Sequence, residues 1–166
     1  MKCKIVKLDQ FSGCSASVYS VYINDEKKTL FDKFIEENIN SFKSELLNII
    51  QRLKVIGKST GARMKFFKDK EGNPGDGVCA LYDIPGTKLR LYCIRYGAEL
   101  IILGGGGEKT MSIKALQEDA KLKKENYLLR EISKEITERI KRKDIEWSDD
   151  HMDLIGALEI NTEDYE

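Results

Sequence analysis

Residues 88–103 read Lys88-Leu-Arg-Leu-Tyr-Cys-Ile-Arg-Tyr-Gly-Ala-Glu-Leu-Ile-Ile-Leu103. Aliphatic, β-branched and aromatic residues fill two runs, Leu89–Tyr96 and Glu99–Leu103, parted at Gly97. That is the pattern of a strand, a tight turn and a returning strand. Upstream, Val78–Tyr82 forms a third run. Between it and Leu89, Ile84-Pro85-Gly86-Thr87 suits a type II turn, with Pro at its second position and Gly where φ must be positive. Residues 78–103 therefore predict an antiparallel meander. Strand alternation puts Arg90, Tyr92, Ile94 and Tyr96 on one face, and Leu89, Leu91, Cys93 and Arg95 on the other.

Before the meander, Ala62–Lys68 reads as a further strand, followed by a loop at Glu71–Gly77. Two helices precede it. Leu30, Phe31, Phe34, Ile35 and Ile39 recur at helical spacing behind an N-cap at Asn24-Asp25. Phe42, Leu46, Ile49, Ile50, Leu53 and Ile56 do so behind Ser41, with Gly57 as the C′ residue. Their short link predicts an αα-hairpin that lays its apolar faces on the sheet. Cys3–Leu8 and Ser17–Ile23 add two strands at the start, broken apart by Ser12-Gly13. After the meander, Gly104–Gly107 reads as a glycine-rich strand exit. Ser112 then caps a long helix carrying Leu116, Ala120, Tyr127, Leu128, Ile132, Ile136 and Ile140, with ten basic and six acidic side chains between 112 and 143. The expected fold is α+β: N-terminal strands and an αα-hairpin packed on a twisted antiparallel sheet, then a long C-terminal helix.

The formal net charge of zero hides an asymmetry. Residues 144–166 hold nine of the 28 acids and no Lys or Arg, so residues 1–143 hold 28 cations against 19 anions, a formal +9. This predicts one basic domain over 1–143 and an acidic tail over 144–166. The body suits a polyanionic partner, and the tail could lie across the same basic surface.

Several chemistries lack their parts. The four cysteines at 3, 14, 79 and 93 contain no CxxC pair, and His151 is the only histidine, so no zinc pattern is present. Reduced cytoplasmic thiols are the simplest reading, with Cys79 and Cys93 acting as small apolar residues. No apolar run reaches membrane-span length. With His151 alone, lying in the acidic tail, no convincing Ser/His/Asp or Cys/His triad can be assembled. The run Gly104-Gly-Gly-Gly-Glu-Lys-Thr110 fails as a phosphate loop, because Glu108 stands where the motif needs a glycine before the lysine. Its glycines instead suit a close backbone approach or a wide turn. What remains is a basic, aromatic sheet face: Arg63, Lys65 and Lys68 on one strand, Arg90, Tyr92 and Tyr96 on another, and Lys109 at the exit of the last. Cations neutralise phosphate and tyrosines stack on exposed bases, so this set reads as a nucleic-acid surface.

The order of these elements, and the segment Lys88–Thr110, resemble the RelE/HigB-like toxins of bacterial and phage toxin–antitoxin systems over about residues 28–130. Arg90 matches the family's strand arginine, and Lys109-Thr110 match the second Lys and the Thr of its "KKt" element. The chain departs from the pattern at Gly104, Gly106 and Glu108, and at Cys93 in place of a tyrosine. The resemblance implies a RelE-like fold and ribosome-dependent, metal-independent mRNA cleavage that inhibits translation. It implies no cofactor, and mRNA, the ribosome and a helix-turn-helix antitoxin as partners. In that chemistry the ribose 2′-OH attacks the adjacent phosphate. Arg90 would stabilise the crowded anion, and Lys65 and Lys109 would bind or orient RNA. Tyr92 or Tyr96 would stack or carry a proton. A non-catalytic RNA-, ribosome- or protein-binding module on the same fold is the alternative.

Overall fold

The meander is present in the computed structural model, which describes residues 1–68, 71–72, 75–82, 84–109 and 120–165. Its strands are β4 (Val78–Leu81), β5 (Leu89–Tyr96) and β6 (Leu100–Glu108), paired antiparallel in sequence order. Gly86 has φ +86° and Thr87 N donates to Ile84 O at 3.0 Å, as a type II turn requires. β6 runs five residues beyond Leu103, so Gly104–Gly107 belong to the strand itself and not to its exit.

β1 (Lys2–Lys7) and β2 (Ser17–Ile23) form an antiparallel pair, and β2 then lies parallel to β6. The sheet is therefore mixed rather than purely antiparallel, because the chain crosses over through two helices before returning. These are α1 (Leu30–Asn38) and α2 (Lys43–Val55). Thr29 caps α1 in a reciprocal capping box with Asp32, in place of the expected Asn24-Asp25, which sits in the preceding turn with Asn24 at φ +54°. Phe42, rather than Ser41, precedes α2. Gly57 does not end α2. It falls within a π-turn over Ile56–Thr60, which Gly61 closes at φ +76°. Of the strand expected at 62–68 only β3 (Phe67–Lys68) forms, since Met64–Phe66 wind into a 3₁₀ turn.

α1 and α2 cover one face of the sheet, burying Phe31, Phe34, Leu46, Leu53 and Ile56 against Leu89, Leu91, Cys93, Ile101 and Leu103. The opposite face is covered too. α3 (Ala120–Lys141) packs Leu129, Ile132 and Ile136 over Tyr92, Ile94, Leu100 and Ile102. The expected cap at Ser112 and the contribution of Leu116 lie outside the described residues. The alternation along β5 is as predicted, but neither of its faces is open. The residues expected as an aromatic sheet surface are an interior layer.

The glycines of β6 make this possible. Leu129 sits over Gly104, with its Cδ2 2.9 Å from where a Cβ would be, and Glu125 sits over Gly105 in the same way. Lys121, Glu125 and Leu129 recur every four residues, so one stripe of α3 rests on bare backbone. Strand glycines mark such close approaches.

The acidic segment is not a tail. β7 (Ile145–Trp147) and β8 (Leu154–Gly156) form a small hairpin, and β9 (Glu159–Asn161) pairs with β1, completing the order β3-β4-β5-β6-β2-β1-β9. Two of its acids pair with lysines of β1, away from Arg90 on β5: Glu159 with Lys4, and Asp153 with Lys7. The self-shielding arrangement is thus replaced by strand addition. No helix among the described residues is long and apolar enough to cross a membrane.

Asp153 docks the β7–β8 hairpin onto β2. Its Oδ1 accepts from Tyr19 Oη at 2.9 Å and lies 2.9 Å from Lys7 Nζ. Burial alone would raise this carboxyl, yet Lys7 and Tyr19 hold it below the usual 3.8. Because the folded-state pKa is depressed, the contribution is present above the unfolded value and lost as pH falls through the folded one. Thermal midpoints measured from pH 7 downward should show Asp153→Asn less acid-sensitive than the parent below about pH 4.

Candidate nucleic-acid interface

The open end of the β5–β6 hairpin gathers two of the five cations that the sequence singled out, Arg90 and Lys109, with Lys88 beside them. Arg90 lies opposite Gly107, and Leu89 opposite Glu108. Beyond them Lys109 N donates to Lys88 O at 2.7 Å. Cross-strand partners share a face, so Lys88, Arg90 and Lys109 stand on the α3 side of the hairpin end. Glu108 stands with Leu89 on the α1/α2 side. The acid that interrupts the glycine–lysine run is therefore turned away from Arg90. Arg90 and Lys109 are half-buried, and Lys88 is exposed.

Lys121, from the first turn of the described part of α3, closes this end. Its Nζ lies 2.7 Å from Glu125 and 3.1 Å from Glu37. Partial burial pulls the Lys121 ammonium down, but the two carboxylates outweigh it and hold it above its ordinary value. It is charged, and its charge is already partnered within the fold. Neither Lys88 nor Lys121 was picked out from the sequence. Lys88 had a visible signal, since it lies two residues before Arg90 and on the same strand face.

The remaining predicted residues are dispersed. Lys68 lies opposite Ala80, which lies opposite Tyr92, so it shares the α3 side but at the sheet edge, with Glu71 at 4.0 Å. Arg63 and Lys65 are exposed on the 3₁₀ segment, Arg63 Nε donating to Thr60 O at 3.1 Å. They are not strand residues beside Arg90. Tyr92 is 2% exposed beneath α3 and is not available to a substrate in this arrangement. Tyr96 packs edge-on against Trp147 with ring centroids 5.3 Å apart, and burial pushes its phenol upward. Thr110 of the "KKt" element lies outside the described residues.

α3 itself presents the exposed aromatic that the sheet does not. Tyr127, expected on the apolar stripe, is 51% exposed, with Lys123 Nζ 5.5 Å and Arg130 Cζ 4.9 Å from its ring centroid. The signal was legible as Lys123, Tyr127 and Arg130, spaced four and three apart on one helical face. Such a ring between two cations can receive a base while the cations meet flanking phosphates. His151 is exposed in the β7–β8 turn, remote from both groups in the chain, and no cluster of metal-ligating side chains occurs among the described residues.

The chain matches no family model, no curated protein and no solved structure.

Proposed function

We propose that this chain is a RelE/HigB-like toxin that acts on mRNA at the ribosome, in the cytoplasm, and is held inactive by an antitoxin protein. The observation that carries the reading is the register of the β5–β6 hairpin. It sets Arg90, Lys88 and Lys109 on one face and Glu108 on the other. In 2′-OH attack the new bond joins the ribose 2′-oxygen to phosphorus, and the bond to the 5′-oxygen breaks. The phosphate oxygens gain charge at the transition state, where fixed cations stabilise more than they do in the ground state. Arg90 is assigned that role, and Lys88 and Lys109 hold the backbone on either side. The Tyr127 pair of cations is assigned to the flanking RNA.

Proton transfer by Tyr92 is dropped from the proposal, since the phenol is buried. That same burial favours a second reading, in which the cationic end binds RNA or ribosome without cutting it. Inducible expression with mapping of mRNA 5′ ends separates the two. Cleavage and growth arrest that are lost in Arg90→Ala support the toxin. Arrest without new ends supports the binding module, which should also show RNA affinity that falls steeply with salt. Neither arrest nor binding, with Arg90→Ala indistinguishable from the parent, removes both.

A further inference from the structure

On the α1/α2 side, away from Arg90, the structure holds an apolar cavity of about 340 Å³ between α2, the 3₁₀ segment and the β4–β5 turn. Val55, Phe66, Leu81, Tyr82, Ile84 and Pro85 form its walls. Val55 of α2, and Tyr82 and Ile84 of the turn, are 37%, 57% and 43% exposed. Apolar surface from two elements thus converges on one hollow and is left wet. The walls are tied together: Arg52 Nη1 donates to Tyr82 O at 2.7 Å, fixing the turn against the helix. Water is a poor occupant, because it needs about two to four polar partners that apolar walls do not offer.

Size and charge define what fits. A cavity of about 150 Å³ holds one benzene, so this one suits an apolar body of roughly eight to ten carbons. Its volume also lies within the range of small-molecule sites. The described lining carries two cations, Arg52 and Lys65, and no Asp or Glu; Asp83 lies outside the described residues. Arg52 is committed to the turn. Lys65 is exposed, and its Nζ stands 5.4 Å from the centroid of the Phe66 ring, one of the cavity walls. A ring face attracts an ammonium without neutralising it, and no carboxylate pairs with Lys65 among the described residues. A nucleic acid would use the ammonium and leave the walls wet. A plain hydrocarbon would cover the walls and leave the ammonium unused. An apolar body with an anionic end meets both.

We infer that this cavity binds a small amphipathic carboxylic acid, its apolar body between Val55, Phe66 and Ile84 and its carboxylate at the Lys65 ammonium. The site is separate from the hairpin end that carries Arg90 and stands whether or not the chain cuts RNA.

The test is titration of the ¹⁵N-labelled full chain with octanoate, 1-octanol and octylamine, which share one apolar body and differ at the head. Octanoate should shift the amides of Val55, Phe66, Tyr82 and Ile84 to saturation. At low salt it should bind at least ~3-fold tighter than octanol and ~10-fold tighter than octylamine. Lys65→Gln should bring octanoate down to the affinity of octanol and leave octanol unchanged. Val55→Trp, which fills the cavity, should abolish binding of all three, and Ile84→Trp replaces it if its thermal midpoint falls. No saturable shift at these amides overturns the inference. So does equal affinity for the three heads, or an octanoate affinity that Lys65→Gln leaves unmoved. Binding to phosphatidylglycerol vesicles without binding to free octanoate would also overturn it, assigning the cavity to a membrane surface. A dimer in sedimentation that Val55→Glu dissolves would do the same, assigning it to a second copy of this chain.

Discussion

A chain ending at Lys143 is expected to accumulate only as aggregate. The removed segment buries Ile145 and Ile160 completely and leaves Leu154 4% exposed. Truncating one such side chain costs about 2–5 kcal/mol, and three together match the whole stability of an ordinary domain, about 5–15 kcal/mol. The loss does not stop at packing. β9 pairs Lys2, Cys3 and Lys4 of β1, and Arg139 Nη2, 4% exposed within α3, donates to Asn161 O at 3.1 Å. Without residues 144–166, β1 becomes an open edge and a buried guanidinium loses an acceptor. Soluble yield and far-UV circular dichroism of the truncated chain check this. A soluble monomer with cooperative unfolding would show the segment to be dispensable, and would return it to the status of a charged appendage.

Gly106→Ala is expected to be one of the two most damaging single methyl groups, beside Gly57→Ala, whose Cβ would lie 1.7 Å from Phe11 O. A Cβ at Gly106 would lie 1.9 Å from Arg90 O, and 2.9 Å from the Arg90 carbonyl carbon. Both are backbone atoms of the neighbouring strand, so no rotamer change relieves the overlap. The β5–β6 pair must open at the bulge between Leu91 and Cys93. Overpacking typically costs about 1–3 kcal/mol, and backbone overlap belongs at the upper end of that range or beyond it. For a chain of this length that lowers the thermal midpoint by roughly 6–12 °C. Gly107→Ala is the internal control: its Cβ would meet Lys121 Cγ at 3.5 Å and Leu122 Cδ2 at 3.8 Å, ordinary contacts. Equal losses in the two variants would mean that the run is sensitive to composition and not to this one approach.

The elements with strong local patterns were legible. β1, β2, β4, β5, α1, α2 and the Gly86 turn follow from periodicity and turn chemistry, with errors mostly at their ends. Ala62–Lys68 was misread because three of its residues wind into a 3₁₀ turn, a choice made by the edge of the sheet and not by propensity. The acidic segment was misread for a different reason. β7, β8 and β9 are three residues each, too short to show a period, and their charge outweighed the isolated Ile145, Leu154 and Ile160. The face of Arg90, Tyr92 and Tyr96 was read correctly, but its exposure was not. Alternation gives the side of a strand, whereas the cover supplied by α3 depends on packing between residues thirty or more positions apart. Lys109 and Arg90 do meet at one end of the hairpin, because strand pairing is the kind of contact that sequence registers. Lys121 reaches the same end by helix docking, which sequence does not register.

The pairing of β1 with β9 has a consequence in time. Lys2 is made well before its neighbour Asn161, while β2 waits for β6 to supply its parallel partner at Leu100–Ile102. During synthesis the β1–β2 hairpin therefore carries two unsatisfied edges, one until β6 is present and the other until β9 is. Sheets assembled from such distant partners fold slowly and expose strand edges to aggregation meanwhile. The lysines at 2, 4 and 7 place charge along β1 during that interval, before Glu159 and Asp153 arrive to pair with two of them.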